Sequence, residues 1–277
     1  MSAYSPQTKF QTIMSSSIFD LTGKIAFISG GAGHLGSAMS EIMAAHGATV
    51  IIASRHLDKC REFAAKLGPK HEGVELDLND EKAIRTVIDG VVKRHGALHI
   101  LVNNGYSGPL PTLDNATAED FQKTFQLGLT SYFVASQQAS KHMRTMGGGS
   151  IINIASMYGL VASYPDVYEN LPGPSVNSPP NYHALKGGLI HFTRHLAVYY
   201  AKHGIRVNAL SPGPFPPSRV SDTVGGAELV RRLCEKVPLK RMGQPKEVQG
   251  ALMLLASDAG SFITGQNIVV DGGWTAW

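Results

Sequence analysis

Tyr182 and Lys186 stand four residues apart in the run Tyr-His-Ala-Leu-Lys. On a helix that spacing places them on one face a turn apart, so that an ammonium lies near a phenol. A phenol ordinarily keeps its proton far above neutrality, and a neighbouring cation loosens it. A tyrosine tuned in this way can pass a proton to or from a carbonyl or alcohol oxygen. Tyr-x-x-x-Lys also arises by accident, so its surroundings decide its meaning. The second chemical signal is Gly31, Gly33 and Gly36, which read G-x-G-x-x-G between an apolar run (Ile25 to Ile28) and a helical pattern carrying Leu35, Met39, Ile42 and Met43. Glycines there let main-chain N–H groups approach a ligand, and the positive end of the following helix favours a pyrophosphate. The plain alternative is a tight turn without a ligand. Its place at the first strand of an alternating β/α pattern favours a dinucleotide.

The cofactor's identity is expected at the end of the second strand, where a carboxylate would hold the ribose hydroxyl of NAD and an arginine suits the 2′-phosphate of NADP. This chain has Ala53-Ser54-Arg55 there, with no acid. Arg55 offers a planar fork that pairs with phosphate and Ser54 a hydroxyl beside it, which favours NADP(H) over NAD(H). The competing reading of Arg55 is an exposed helix-entry residue. His191 and His195 share a helix face at a spacing that can bind metal, but no acid or third ligand lies beside them, so no metal is expected. Arg219, Arg231 and Arg232 could meet an acidic substrate, or serve as ordinary surface charges.

These residues need elements to position them. Apolar β-branched runs bounded by turn residues predict strands at Ile25 to Ile28, Thr49 to Ala53, Gly73 to Leu76, Leu98 to Val102, Ser150 to Ile154, Arg206 to Leu210 and Asn267 to Val270. Helical spacing predicts helices after the glycine turn, through Leu57 to Leu67, Glu81 to His95, Ala118 to Met146, Tyr182 to His203 and Pro245 to Ala256. Strict alternation predicts an α/β fold, a doubly wound parallel sheet of Rossmann type with about seven strands in a single domain. Two stretches break the rhythm. Pro165 to Pro180 is dense in Pro, Gly, Ser and Asn, and a second stretch begins Ser211-Pro-Gly-Pro-Phe-Pro-Pro-Ser218. They are expected as an inserted loop over 163–181 and a lid region over 212–240, beside the strand ends where such sheets bind ligands.

Composition narrows the classes. Of 277 residues, 43% are hydrophobic and 17% charged, a balance that supports a sizeable core in a globular protein. The formal charge of +4 comes without a run of five basic residues, so nucleic acid is not expected as a partner. Cys60 and Cys234 are the only cysteines, too few for a disulfide framework, and a reducing, cytoplasmic setting is expected. No apolar run approaches the ~20 residues that span a bilayer. Residues 1–18, polar and rich in Ser and Thr, are expected as a mobile tail.

Taken together, the chain from about Phe19 to Trp274 resembles the short-chain dehydrogenase/reductase family in its single-domain form. The resemblance rests on the glycine turn Ser29 to Gly36, Asp77 after the third strand, Asn103-Asn104-Gly105 after the fourth, Ser156 after the fifth, Tyr182 with Lys186, Ser211-Pro212-Gly213 after the sixth, and Val269 to Gly273. It implies that Tyr182 is the general acid/base, that Lys186 binds the nicotinamide ribose and tunes Tyr182, and that Ser156 orients the substrate oxygen. The turn Gly30, Gly31, Gly33, His34, Leu35 and Gly36 would hold the phosphates, and Ser54 and Arg55 the 2′-phosphate. Asp77 and Leu78 would lie by the adenine, Asn104 and Gly105 near the ribose, and Pro212-Gly213 near the nicotinamide. Each has a plain alternative: Ser156 and Asn103-Asn104-Gly105 as turn residues, Asp77 as a cap for the helix starting near Asp80.

Four departures accompany the resemblance, one being the run Pro214-Phe215-Pro216-Pro217 in place of the threonine that often follows the Pro-Gly turn. His34 stands where the family carries a glycine. Gly128 falls where the family carries an asparagine that completes a water-linked proton relay, so the relay is rebuilt from water and main-chain carbonyl or lost. The segment between Ser156 and Tyr182 is longer than usual, which reshapes the substrate mouth. The reading that follows is an NADP(H)-dependent oxidoreductase interconverting a secondary alcohol and a ketone. The family resemblance adds a homotetramer or homodimer built on the Ala118 and Tyr182 helices, with Phe121, Phe125, Tyr132, Phe133, Phe192, Leu196 and Tyr199 as apolar faces. It also brings sugar acids, polyols and β-ketoacyl thioesters as substrate classes, and the nearest likeness is to gluconate 5-dehydrogenase-like and ketoacyl-reductase-like members. Two rivals remain open: a dinucleotide-binding regulatory protein with impaired catalysis, and a sugar-nucleotide epimerase or dehydratase.

Overall fold

Residues of β1 (Ile25–Ser29) alternate between two separate cores: Ile25 and Phe27 face one, Ala26 and Ile28 the other. The same parity governs β4 (Ile100–Asn103) and β5 (Gly149–Ile154), where Leu101 and Ile151 face the first core and Val102 and Ile152 the second. A strand buried on both faces must be apolar throughout, which is why these segments read as continuous runs. The remaining strands are β2 (Thr49–Ser54), β3 (Glu72–Glu75), β6 (Ile205–Pro212) and β7 (Asn267–Val270), and all seven pair in parallel in the order β3-β2-β1-β4-β5-β6-β7. The computed structural model describes residues 17–171 and 178–277. The expected tail at 1–18 therefore lies outside the described residues but for its last two, as do residues 172–177 of the inserted loop.

The first core is closed by α3 (Glu81–His95), α5 (Ser131–Thr145) and α7 (Pro180–Tyr200). The second is closed by α1 (His34–Ala45), α2 (Leu57–Leu67) and α9 (Gln249–Ala256). Their ends follow local rules. Asp80 caps α3 by accepting from Ala83 N–H at 2.9 Å, and Gly96 ends it in the left-handed region. Thr117 and Asp120 form a capping box at the start of α4 (Ala118–Phe125). Pro180 occupies the first turn of α7, where a missing N–H costs nothing. Reversal of strand order between β1 and β4 opens a crevice at the carboxyl ends of those strands.

Several elements differ from the sequence reading. The single helix expected over Ala118 to Met146 is α4 and α5 joined by a π-helical turn, Gln126–Thr130, with Gly128 buried at its centre. Within 212–240, Gly226–Lys236 forms α8, whose Leu229 and Leu233 are buried. The inserted loop carries a short helix, α6 (Pro165–Tyr168). The sixth strand runs on to Pro212, since Ser211 and Pro212 still pair with Val269 and Val270 of β7. Of the apolar residues that an oligomer contact or ordinary core packing would explain, Tyr132 and Leu196 are packed inside the subunit, whereas Phe133 and Tyr199 are exposed.

Candidate active site

Ser29, the last residue of β1, ties the crevice together. Its hydroxyl accepts from the N–H groups of Asn104 and Gly105, each at 3.0 Å, while the Asn104 amide donates to the carbonyls of Ser29 (3.0 Å) and Gly30 (3.2 Å). Asn104 therefore clamps the glycine turn. Gly30 turns the chain at φ +67, and a Cβ on Gly36 would fall 2.0 Å from the Gly30 carbonyl oxygen, so the helix can approach the turn only as glycine. No side chain caps the first-turn N–H groups of α1 and no acid lies there, leaving them available to an anion. These features fit a pyrophosphate. His34 begins α1 with its ring exposed, and its Nε2 lies 3.0 Å from the Phe215 carbonyl, linking the glycine turn to the start of the lid.

Beside the turn, Gly30, Ser54, Arg55, His56, Asp77, Leu78, Gly105 and Tyr106 line one pocket. Arg55 and Asp77 are exposed there. The Ser54 hydroxyl is already occupied, accepting from His56 N–H at 3.2 Å and touching Cys60 Sγ at 3.0 Å. Asp77 does not cap the following helix, a role taken by Asp80. Instead it accepts from the backbone and side-chain N–H groups of Asn79 at 2.9 and 3.0 Å. Gly213 follows β6, where a Cβ would meet Asp271 Cα at 2.5 Å, and its N–H donates to the Val270 carbonyl at 2.8 Å.

Ser156 follows β5 and Tyr182 lies in the first turn of α7, and a hydrogen bond from Ser156 lowers the phenol's pKa. Burial outweighs it and holds the phenol up at about 12. Lys186 is buried, donates to the Ile154 carbonyl at 2.7 Å, and is pushed down to about 7 by burial. Its ammonium lies 5.4 Å above the Tyr182 ring centre, tied to the β5 carbonyl, and desolvation governs both groups.

Tyr106 is the neighbour the sequence reading missed. Its ring packs on Tyr182 at 5.5 Å between centroids and lies 5.6 Å under the same ammonium, so Lys186 is flanked by two aromatic faces. Its hydroxyl donates to Thr124 at 3.4 Å, and Thr124 accepts from Asn181 at 2.5 Å. The one available signal was position, directly after Asn103-Asn104-Gly105. His191 and His195 are not drawn into a site; the His195 ring stacks between Phe192 and Tyr199. Among the described residues no three His, Cys, Asp or Glu side chains converge on a metal position.

The place of the expected asparagine is filled. A Cβ on Gly128 would lie 2.4 Å from Leu185 Cδ2, so the leucine occupies the volume an asparagine side chain needs. Gly128→Asn is accordingly expected to destabilise the fold by ~1–3 kcal/mol, as overpacking does. At roughly 2–4 °C per kcal/mol for a chain of this size, thermal denaturation would register it, with no gain in turnover. Adding Leu185→Ala should recover part of the loss. A single substitution that raised both melting temperature and turnover would contradict this account.

Beside these residues two segments pack together. Tyr158 stacks on His183 at 4.6 Å and bonds through its hydroxyl to Tyr168, while Trp274 meets Tyr158 and Tyr164 edge-on at 6.4 and 5.3 Å. Leu229 and Leu233 of α8 join Met157, Val167 and Trp274 in one apolar cluster. Arg232 donates to the carbonyls of Asp166 (3.0 Å) and Glu169 (2.6 Å), and Lys236 pairs with Asp166 at 2.7 Å. Two of the three arginines considered for an acidic substrate are thus engaged with the lid itself, since Arg231 also lies between Glu228 and Glu235.

Comparison with known proteins sets this geometry in a family. A family model described as enoyl-(acyl carrier protein) reductase matches residues 30–275. An uncharacterised short-chain type dehydrogenase/reductase of Sinorhizobium fredii is 34% identical over 254 residues, 91% of this chain, which spans 44% of that protein's length. Glucose 1-dehydrogenase 2 of Bacillus subtilis is 31% identical over 264 residues, covering 93% of this chain and 97% of the relative. The crystal structure of a gluconate 5-dehydrogenase from Burkholderia cenocepacia in complex with NADP and tartrate superposes with a TM-score of 0.84 at 30% identity, over 95% of this chain and 99% of that one. Among the described residues, no helix is long and apolar enough to cross a membrane.

Proposed function

The chain belongs to the short-chain dehydrogenase/reductase family, and from that premise we propose that it interconverts a secondary alcohol and a ketone with NADP(H), using Tyr182, Ser156 and Lys186. The observation that carries this is the placing of the buried Lys186, whose ammonium lies 5.4 Å over the Tyr182 ring and is tied to the Ile154 carbonyl two residues before Ser156. When bound, the nicotinamide supplies or accepts the hydride. The protein's task is then orientation and proton delivery. Ser156 donates to the substrate oxygen and fixes its position. Tyr182, which burial keeps protonated, gives its proton to that oxygen in reduction and recovers it in oxidation. Lys186 holds positive charge close to the aromatic pair, which favours a phenolate once the proton has left.

The choice of NADP(H) rests on Arg55, exposed at the rim of the pocket that Ser54, Asp77 and Gly105 line, with no acid at the end of β2. Arg55→Ala is expected to weaken NADPH by ~1.5–3 kcal/mol, the worth of a charge-assisted contact. That is roughly 10- to 150-fold in Kd, with NADH scarcely changed. Titrating both cofactors against the two proteins checks it, and equal weakening would show that Arg55 does not read the phosphate. A homo-oligomer formed on α5 and α7 is supported by the exposed Phe133, Val198 and Tyr199. A cytoplasmic setting is supported by the two free cysteines. The enzyme reading is preferred to a binding protein because all three proton-handling side chains are present, with Lys186 5.4 Å over the Tyr182 ring.

A further inference from the structure

Resting on the alcohol/ketone reading, we propose that the site takes an uncharged, hydroxyl-bearing ring and discriminates against carboxylates and phosphates of the same shape. Four cations of this region are already committed, Arg219 and Lys240 being the exceptions. Arg231 is held by Glu228 and Glu235, and Arg232 by Glu228 and two main-chain carbonyls of the inserted segment. Lys236 is held by Asp166, and Arg241 by Glu247 at 2.7 Å. An entering anion would have to displace one of these partners and leave a carboxylate uncompensated beside itself. Lys186 is buried and bonded to Ile154, and His183 is hydrogen-bonded to Ser178. Arg219 and Lys240, the lid cations without a carboxylate partner among the described residues, are both exposed.

What surrounds Ser156 and Tyr182 is aromatic instead. Tyr106 packs on Tyr182, and Tyr158, whose N–H donates to the Ser156 hydroxyl at 3.2 Å, packs on His183. Such faces suit the C–H surface of a ring. Among the described residues two buried polar atoms of this region have no partner: the indole N–H of Trp274, a donor, and Oδ1 of Asn181, an acceptor. Buried polar groups left unpaired are costly, and their complement is a ligand atom. A hydroxyl can serve both, since it accepts and donates. A carboxylate can serve only the first.

The test pairs each neutral ligand with an acid of closely similar size: 4-hydroxycyclohexanecarboxamide with 4-hydroxycyclohexanecarboxylate, and D-glucose with D-glucuronate. Binding to the full chain with NADP⁺ is measured by calorimetry, and NADP⁺ reduction is followed in parallel. The neutral member of at least one pair is expected to bind about tenfold or more tightly than its acid. Glu228→Gln, which removes the carboxylate that Arg231 and Arg232 share, should narrow that ratio. Equal or tighter binding of the acids overturns the proposal, as does failure of every neutral ligand to bind or a ratio untouched in Glu228→Gln. Selective neutral binding without any NADP⁺ reduction would leave the proposal standing and defeat the redox reading beneath it.

Discussion

Tyr182→Phe should lower kcat by about 10²–10⁴-fold, the range associated with removing a positioned proton donor, while leaving NADPH affinity within experimental error. The substitution deletes one oxygen and keeps the ring, so the packing of Tyr106 on that ring and the placement of Lys186 over it survive. Ser156 loses its partner, but its hydroxyl still accepts from Tyr158 N–H. Because the proton is needed only as the oxygen's charge changes, the loss should fall on kcat and on kcat/KM alike. Stopped-flow or steady-state NADPH oxidation with any accepted ketone, together with a cofactor titration, measures both quantities. Turnover unchanged in the variant would remove Tyr182 from the mechanism. Abolished cofactor binding would show that the phenol serves the pocket instead of the proton.

Trp274→Ala should cost ~3–5 kcal/mol locally, as truncation of a buried indole commonly does. At 1% exposure, Trp274 is among the largest fully buried side chains, and it joins Tyr158, Tyr164, Leu229 and Leu233 in a cluster separate from the two cores that hold the sheet. A loss confined to that cluster releases the lid before the sheet. Amide hydrogen exchange should therefore accelerate in 157–171 and 226–237, with the sheet strands nearly unchanged, and KM should rise more than kcat falls. Uniform acceleration across the strands would show that the lid and the sheet are one cooperative unit.

The sequence carried the sheet well because each central strand is apolar on both faces, and that pattern needs no knowledge of partners. It carried the glycine turn for a similar reason, since the constraint on Gly30 and Gly36 is local backbone geometry. It could not carry what depends on distant side chains competing for one volume. Leu185 filling the space beside Gly128 is such a case, as is Tyr106 settling on Tyr182. Helical spacing puts Lys186 beside Tyr182 but does not say how much water reaches either. α8 was hidden behind Gly225 and Gly226, which read as turn, although Leu229 and Leu233 were spaced for a helix face. The segment ahead of it, rich in proline, gave no period at all.

The grip of Arg232 on the inserted segment is made to the carbonyls of Asp166 and Glu169, and every amino acid supplies a carbonyl. The anchorage is therefore indifferent to most side-chain identities at those two positions. Over evolutionary time the segment can change its sequence, and with it the lining it offers to a substrate, while staying fastened to α8. A library randomised over 160–170 with Arg232 retained would consequently yield far more folded variants than the same library built on Arg232→Ala, which makes this stretch a natural place to begin altering selectivity.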